Sequence, residues 1–262
     1  MDPIQAIVLG FIQGVTEWLP ISSTGHLRIA EHFFGLKTVP LLFDVTLHLG
    51  TLIVTLLFFR KDVKNILVAL GKGDFKSENG KLIPLIAVGM LPTALIGLVF
   101  GNAMDAYFSG FLALGVGFIA CGVTLYWSKF GRERKNDINY VDALLIGTAQ
   151  GLAIIPSLSR SGMTITVALL LGINREKSFK FSFLLSIPAV VGALGLTFYE
   201  QRDLLTLAGI GLAEILVGIA VTIAVSFLAL KLLRKTLAKR KFHLFALYCL
   251  ILGALLIALS LS

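Results

Sequence analysis

Glu17, His26 and Arg160 are the residues best placed to do chemistry, because each sits in a short polar turn between apolar flanks. The first two lie in Gln13-Gly14-Val15-Thr16-Glu17-Trp18-Leu19-Pro20-Ile21-Ser22-Ser23-Thr24-Gly25-His26. Arg160 lies in Gln150-Gly151-Leu152-Ala153-Ile154-Ile155-Pro156-Ser157-Leu158-Ser159-Arg160-Ser161-Gly162. Both stretches run Gln-Gly, four or five mostly apolar residues, Pro, then a Ser-rich turn closed by Gly. Gln to closing Gly is twelve positions in each, so Ser22, Ser23, Thr24 and Gly25 align with Ser159, Arg160, Ser161 and Gly162. The copies stand 137 residues apart in a chain of 262. Polar turns between apolar flanks are costly unless they meet a polar partner. The two read as halves of one site.

Gln13 and Glu17 are four apart and share a helix face. Pro20 breaks that helix, and a second half-helix is expected to start near Gly25 with His26 in its first turn. On the other copy a half-helix is expected near Gly162, with Thr164 one turn in. Two helix N-termini then aim free N–H groups and positive dipole ends at one centre, which makes an anion site. Arg160 adds a planar fork suited to phosphate, and Ser22, Ser23, Thr24, Ser159 and Ser161 add hydroxyl donors. Glu17 and His26 can serve beside that anion as an acid/base or metal-ligand pair. Taken singly, the hydroxyls could be packing residues of membrane helices, and a lone Arg could merely satisfy carbonyls. Three ionisable groups on matched turns favour a functional site. Asp44 and His48 also share a face, but Asp44 falls near a helix end where water is available, so the pair reads first as structural. His32, Glu214 and His243 form no usable pattern.

The elements that hold these turns are read from composition. Hydrophobic residues make up 56% of the chain and charged residues 15%, with a mean hydropathy of +0.90. A soluble domain averages about 25% charged, so the sequence is that of an all-α integral membrane protein. The net charge of +8 sits in short loops between apolar runs. That is a topology signal with attraction to anionic membrane lipids, and it argues against nucleic acid as a partner. Cys121 and Cys249 lie inside apolar runs and offer no disulfide framework or metal spacing. The start, Met1-Asp2-Pro3, lacks the basic region of a cleavable signal, so the first apolar segment is expected in the mature fold.

Six apolar runs read as spans: 41–59, 82–101, 107–128, 181–199, 204–230 and 242–261. Basic clusters at 60–81, 129–135, 175–180 and 231–241 are expected on the cytoplasmic side, with the turns at 102–106 and 200–203 outside. Residues 141–173 must then enter and leave on one side. Two crossings need about 40 residues, and this segment has 33. It therefore reads as a re-entrant hairpin with Pro156 to Gly162 at its tip, and residues 4–34 as another entering from outside. The expected architecture is one membrane domain, 1–262, built from inverted halves 1–136 and 137–262. Each half is one hairpin plus three spans, with both termini outside and the site near the midplane.

The two motifs resemble the hallmark motifs of the undecaprenyl-diphosphate phosphatase family, also called the bacitracin-resistance protein family. The resemblance extends over nearly the whole chain, including Phe43-Asp44-Val45 and His48-Leu49-Gly50-Thr51. In that family the first motif is Glu or Gln, three residues, then Glu, which Gln13 and Glu17 fit. The second is usually Pro-Gly-x-Ser-Arg-Ser-x-x-Thr, and here Ser157 stands in place of the Gly. The resemblance implies a cell-membrane enzyme that removes the terminal phosphate of a polyprenyl diphosphate, recycling a carrier lipid for cell-wall synthesis. It implies catalytic roles for Glu17, Ser23, His26 and Arg160, with Gln13, Ser159 and Thr164 as lesser members. It also implies a divalent cation, Mg²⁺ or Ca²⁺, with Glu17 as a ligand. Nothing in the sequence points to a homo-oligomer.

The expected mechanism is phosphoryl transfer, in which Arg160 and the helix N-termini spread the developing charge. Ser23 or His26 attacks or positions water, with Ser23 preferred and His26 as its proton partner. Glu17 orients His26 or holds the cation. Type-2 phosphatidic acid phosphatases also use Gly-His and Ser-Arg motifs, but with a second His six residues after the Arg; here that position is Thr166. An inverted-repeat transporter or lipid flippase is the rival from another class.

Overall fold

The computed structural model describes residues 1–36, 41–107, 110–200 and 211–261. Among these are eleven α-helices and no β-strand. Four short helices come as two pairs. The first pair is α1 (Pro3–Thr16) and α2 (Ser23–Phe33); the second, formed by the later copy, is α7 (Tyr140–Leu152) and α8 (Arg160–Leu170). Each pair opens with a capping box, Asp2 with Gln5 and Asn139 with Asp142. Such boxes satisfy orphan N–H groups where the chain turns into a helix.

The long helices are α3 (Leu41–Phe58), α5 (Leu82–Tyr107), α6 (Phe111–Trp127), α9 (Arg175–Glu200), α10 (Leu212–Ala238) and α11 (Phe245–Leu261). Five are long and apolar enough to cross a membrane, α6 and α11 each counted with an adjoining short 3-10 turn. A sixth span is reached if α3 is counted with α4 (Arg60–Gly71), to which it is bent by 79°. The chain is thus an all-helical, multi-pass membrane protein. Residues 60–71, expected as basic loop, instead form α4, whose Leu67, Val68 and Leu70 are exposed. An amphipathic helix with basic residues beside apolar ones suits a bilayer interface. α5 runs to Tyr107, through the turn expected at 102–106, where Ala103, Met104 and Ala106 favour helix. From residue 201 the turn expected at 200–203 lies outside the described residues.

The basic clusters also prove more helical than expected. Lys231, Arg234 and Lys235 lie in the last turns of α10, where cations complement the helix dipole. Arg175, Lys177 and Lys180 open α9, the end where the dipole opposes them, and each is answered by a carboxylate. Arg175 pairs with Glu133, Lys177 with Asp137 at 3.1 Å and Lys180 with Asp62 at 2.5 Å.

Glycines determine how closely the short helices approach the long ones. Gly10 and Gly14 of α1 lie against α10, where an added Cβ would come 2.6 Å from the Gly218 carbonyl oxygen and 2.9 Å from that of Thr222. Gly147 and Gly151 of α7 lie against α5 in the same way; a Cβ on Gly147 would overlap the Gly89 carbonyl. The Thr222 hydroxyl donates to Gly10 O at 3.1 Å, and the Thr93 hydroxyl donates to Gly147 O at 2.9 Å. Each short arm thus carries Gly-x-x-x-Gly and meets Gly-x-x-x-Thr on a long helix. Close backbone contact plus a hydroxyl bond is how helices adhere where lipid removes the hydrophobic drive. A third contact joins α6 and α11, where Gly115 and Gly253 face each other's carbonyl oxygens. Cys121 and Cys249, on these two helices, are free and buried, their sulfurs 4.0 Å apart and each 3.8 Å from Pro20 O. They pack behind the first tip.

Gly147→Ala is expected to lower stability by about 1–3 kcal/mol, the usual cost of overpacking. Gly97→Ala, at a helical position with nothing within 4 Å, should instead raise it by about 0.5–1 kcal/mol. Thermal unfolding of both variants in detergent measures the difference; equal midpoints would refute the backbone contact.

Candidate active site

Both half-helices start earlier than their closing glycines, α2 at Ser23 and α8 at Arg160, because Ser22 and Ser159 serve as N-caps. The Ser22 hydroxyl accepts from Gly25 N–H at 3.3 Å and the Ser159 hydroxyl from Gly162 N–H at 3.2 Å. Aligned residues do the same work on both tips. Gly25 is needed for a close approach: a Cβ there would sit 2.6 Å from the Phe118 ring.

Glu17 is the centre of the assembly. One carboxylate oxygen accepts from the Ser23 hydroxyl at 2.6 Å and from the Gln13 amide at 3.3 Å. Its other oxygen accepts from Arg160 Nη2, across 143 residues of chain. The Glu17 side chain is 8% exposed and that of Arg160 is 23%. The pair is therefore close to dry. A carboxylate there requires its partner, because removing one member strands the other charge. Arg160 occupies the first position of α8, where the helix dipole opposes a cation; Glu17 offsets that. The second guanidinium nitrogen, Nη1, is buried and has no hydrogen-bond partner among the described residues.

Further bonds fasten the second tip to the first. Ser161 donates to the Trp18 carbonyl at 3.2 Å and lies 3.2 Å from the Ser159 hydroxyl. Thr164 donates to the Arg160 carbonyl at 2.9 Å, tying down the first turn of α8. Trp18 itself is 1% exposed and packs on Phe183 with ring centroids 5.4 Å apart. Gln13, Glu17, Ser23 and Arg160 are thus joined directly. Ser22, Ser159, Ser161, Gly25, Gly162 and Thr164 shape the turns that bring them together. Thr24 is exposed at the tip.

His26 lies in the first turn of its half-helix, as expected, but its ring bonds to groups other than Ser23 and Glu17. Its Nδ1 lies 2.7 Å from the Ser22 carbonyl, which can only accept, so Nδ1 carries the proton and donates. Nε2 then accepts from the Tyr248 hydroxyl at 2.6 Å, and the two rings stack with centroids 5.6 Å apart. Among the described residues the hydrogen-bond partner of Ser23 is Glu17, and His26 bonds neither of them. Glu17, rather than His26, is placed to take the Ser23 proton. Asp44 and His48 are 3.7 Å apart, and His48 lies within electrostatic reach of Glu17 and Arg160. Tyr248 was missed in the sequence because a tyrosine within an apolar run carries no local signal. Its role comes only from its contact with His26, 222 residues away in the chain.

The two copies of the motif differ most at Gln150 and Ser157. Gln150, aligned with Gln13, donates to Thr93 and to the Leu185 carbonyl, each at 3.4 Å, and so binds helices together away from the site. Ser157 is wholly buried with φ of 72°, and its hydroxyl has no partner among the described residues. A side chain in this left-handed region costs about 1–2 kcal/mol. On the first tip the positive φ falls instead at Ser22 (67°), which aligns with Ser159, so the two turns are not the same shape.

The family described as "Bacitracin resistance protein BacA" matches residues 6–255. The chain is 43% identical to an "Undecaprenyl-diphosphatase" of Carboxydothermus hydrogenoformans, covering 99% of this chain and 98% of that protein. It is 41% identical to one of Desulfosudis oleivorans, with 97% of each covered. A third, of Moorella thermoacetica, is 39% identical, with 98% of each covered.

Ser157→Gly should stabilise the protein by about 1 kcal/mol. It removes the left-handed strain and a buried unpaired hydroxyl, which together outweigh the roughly 0.4–1 kcal/mol of extra chain entropy. The thermal midpoint in detergent should rise with turnover retained. A fall would mean that the hydroxyl is satisfied in a way the packing does not reveal.

Proposed function

The chain belongs to the bacitracin resistance protein BacA family, and from that premise we infer its work and mechanism. It is an undecaprenyl-diphosphatase, a membrane hydrolase that converts undecaprenyl diphosphate to the monophosphate and inorganic phosphate, recycling the carrier lipid for cell-wall synthesis. The observation that carries the mechanism is the chain Ser23–Glu17–Arg160, with one guanidinium nitrogen left over. Arg160 Nη1 takes an oxygen of the terminal phosphate while Nη2 stays on Glu17. Ser23 Oγ attacks the terminal phosphorus and its proton passes to Glu17; as the anhydride P–O bond breaks, that proton goes to the departing phosphate oxygen, releasing the lipid monophosphate and restoring the carboxylate. Water then gives a proton to Glu17 and attacks the phosphoserine, and the Ser23–phosphate bond breaks as that proton returns to Ser23 Oγ, freeing inorganic phosphate. Developing charge on the transferred group falls to Arg160 and the N–H groups at the starts of α2 and α8. His26, braced by Tyr248, positions the α2 turn.

A divalent cation, Mg²⁺ or Ca²⁺, fits as a companion of the diphosphate. Gln13 Oε1 is buried without a hydrogen-bond partner and lies one turn before Glu17. One carboxylate, one amide oxygen and substrate phosphates are the donors such hard cations accept. Bound there, the cation would neutralise phosphate charge.

We further read the architecture as an inverted repeat in the cell membrane, halves 1–136 and 137–262, with α1–α2 and α7–α8 as re-entrant hairpins and both termini outside. The matching Gly-x-x-x-Gly contacts, each made with a helix of the other half, support it. So does the reciprocal approach of Gly115 and Gly253. The tip bearing Glu17, Ser23 and His26 enters from outside, so the site opens outward.

Phosphate release by the purified protein in detergent, with no gradient, tests the enzyme against the lipid transporter. Glu17→Gln should lower kcat about 10²–10⁴-fold, the range for loss of a general base. Arg160→Lys should cost about 10²–10³-fold, since one ammonium cannot hold carboxylate and phosphate as a fork does. Quenched turnover should show a phosphoserine at Ser23; a phosphohistidine at His26 would reverse their roles.

Cysteines placed singly at Asn79 and Glu200 should label from opposite sides of intact cells, Asn79 from the cytoplasm. Pyrophosphate analogues added outside should compete with the lipid substrate. Labelling from one side would remove the inverted repeat, and competition only in inside-out vesicles would move the opening to the cytoplasm.

A further inference from the structure

A second cavity lies at the basic end of the molecule, where three connections meet. The 3-10 turn after α6, the first turn of α9 and the turn between α10 and α11 enclose about 200 Å³. That is several times the roughly 30 Å³ taken by a water molecule in the liquid. Lys129, Arg132, Arg175, Arg240 and His243 line it, and no carboxylate does. Glu133 answers two of these cations from outside the lining, pairing with Arg175 and, at 3.7 Å, with Arg240. Arg132 has no carboxylate partner among the described residues, and the Lys129 ammonium lies over the Tyr126 ring at 5.7 Å. Four cationic residues therefore border one hollow, three of them with exposed side chains, and Glu133 is the carboxylate paired among them.

The walls are fixed in place, so this convergence is built into the fold. Arg134 and Lys135 donate their N–H groups to the Gly172 carbonyl at 2.7 and 2.8 Å, and Asn174 N–H donates to Lys135 O at 3.1 Å. Gly172, with φ of 86°, lets that turn pass beneath Arg132. Phe242 is 2% exposed and closes one wall. Arg240 holds a left-handed backbone, φ 60°, where a long side chain is rarely found. Like charges held together in a recess repel one another unless an anion joins them, and low-dielectric walls focus their field on the hollow.

We propose that this cavity is a second anion site, remote from the tips, which takes a phosphate group on the forks of Arg132, Arg175 and Arg240 and the Lys129 ammonium. Guanidinium forks match phosphate oxygens two at a time, and the volume admits a phosphate together with water. The phosphate belongs either to an anionic lipid headgroup of the adjoining leaflet or to free inorganic phosphate. The inference is independent of the mechanism at Ser23, because none of these residues touches the tips.

The test uses the full-length protein in neutral detergent, wild type and Lys129→Gln/Arg132→Gln. Retention of phosphatidylglycerol over phosphatidylcholine is read by native mass spectrometry, and binding of radiolabelled inorganic phosphate by equilibrium dialysis. If a headgroup occupies the cavity, the double variant should retain at least about tenfold less phosphatidylglycerol, since two of four charge-assisted contacts are gone. If free phosphate occupies it, the variant should lose one bound equivalent of phosphate, with lipid retention unchanged. Undiminished turnover reports that the variant is folded. Should turnover fall, Lys129→Gln alone, whose ammonium lies over the Tyr126 ring, carries the same comparison. Equal binding of both probes to wild type and variant overturns the proposal.

Discussion

The Glu17–Arg160 pair is the constraint around which the rest is arranged. Each charge stands in an apolar bundle with little access to water, and neither could remain ionised there alone. They come from turns far apart in the chain, so the pair forms only when two separate helical hairpins meet tip to tip. The structure therefore has to solve two problems together. It must bring two irregular turns into contact, and it must leave no buried backbone group unsatisfied there. The serine caps answer the second, since Ser22 and Ser159 each close the N–H group of a glycine three residues on.

The first problem is answered by glycine. α1 buries Ala6 and Leu9, and α7 buries Ala143 and Ile146, in the core. Each is also held by a carbonyl-to-backbone approach and one threonine hydroxyl, against α10 and α5 respectively. Because each contact is set by atoms that cannot rotate away, the tips are positioned to within what hydrogen bonds tolerate. The 2.6 Å bond from Ser23 to Glu17 depends on that accuracy. In the proposed mechanism that proximity is what lets Ser23 and Glu17 act together as nucleophile and base.

Much of this was legible in the sequence. Ionisable residues stand out in a chain with 15% charge, so Glu17, Arg160 and His26 could be picked out, and a proline just ahead of the aligned Ser22 and Ser159 marked each turn. The spans followed from apolar runs, with ends displaced wherever a helix continued beyond its apolar stretch, as α10 does through Lys231 and Lys235. Partnerships were not legible. Nothing local says that Ser23 bonds Glu17 while His26 turns to Tyr248, because that choice is made by a side chain 222 residues away. α4 was hidden for another reason: its charges were read as a topology signal, which masked the helical spacing of the apolar residues among them.

The two copies of the motif also show why a repeat must diverge to make a site. Aligned residues still share structural duties: Gly10 with Gly147, Gly14 with Gly151, Ser22 with Ser159, Gly25 with Gly162. Aligned residues with chemical duties do not match. Glu17 faces Ile154 in the alignment, Ser23 faces Arg160, and His26 faces Met163. Electrostatics requires this. Two identical tips meeting at a near-dry centre would bring carboxylate to carboxylate or guanidinium to guanidinium, each pair repelling with nothing to screen it. Opposite charges on the two tips give attraction at the same distance, and the spare guanidinium nitrogen leaves the centre able to receive one more anion. Shared serine caps and close glycine contacts build the meeting point, and side-chain asymmetry lets opposite charges meet there.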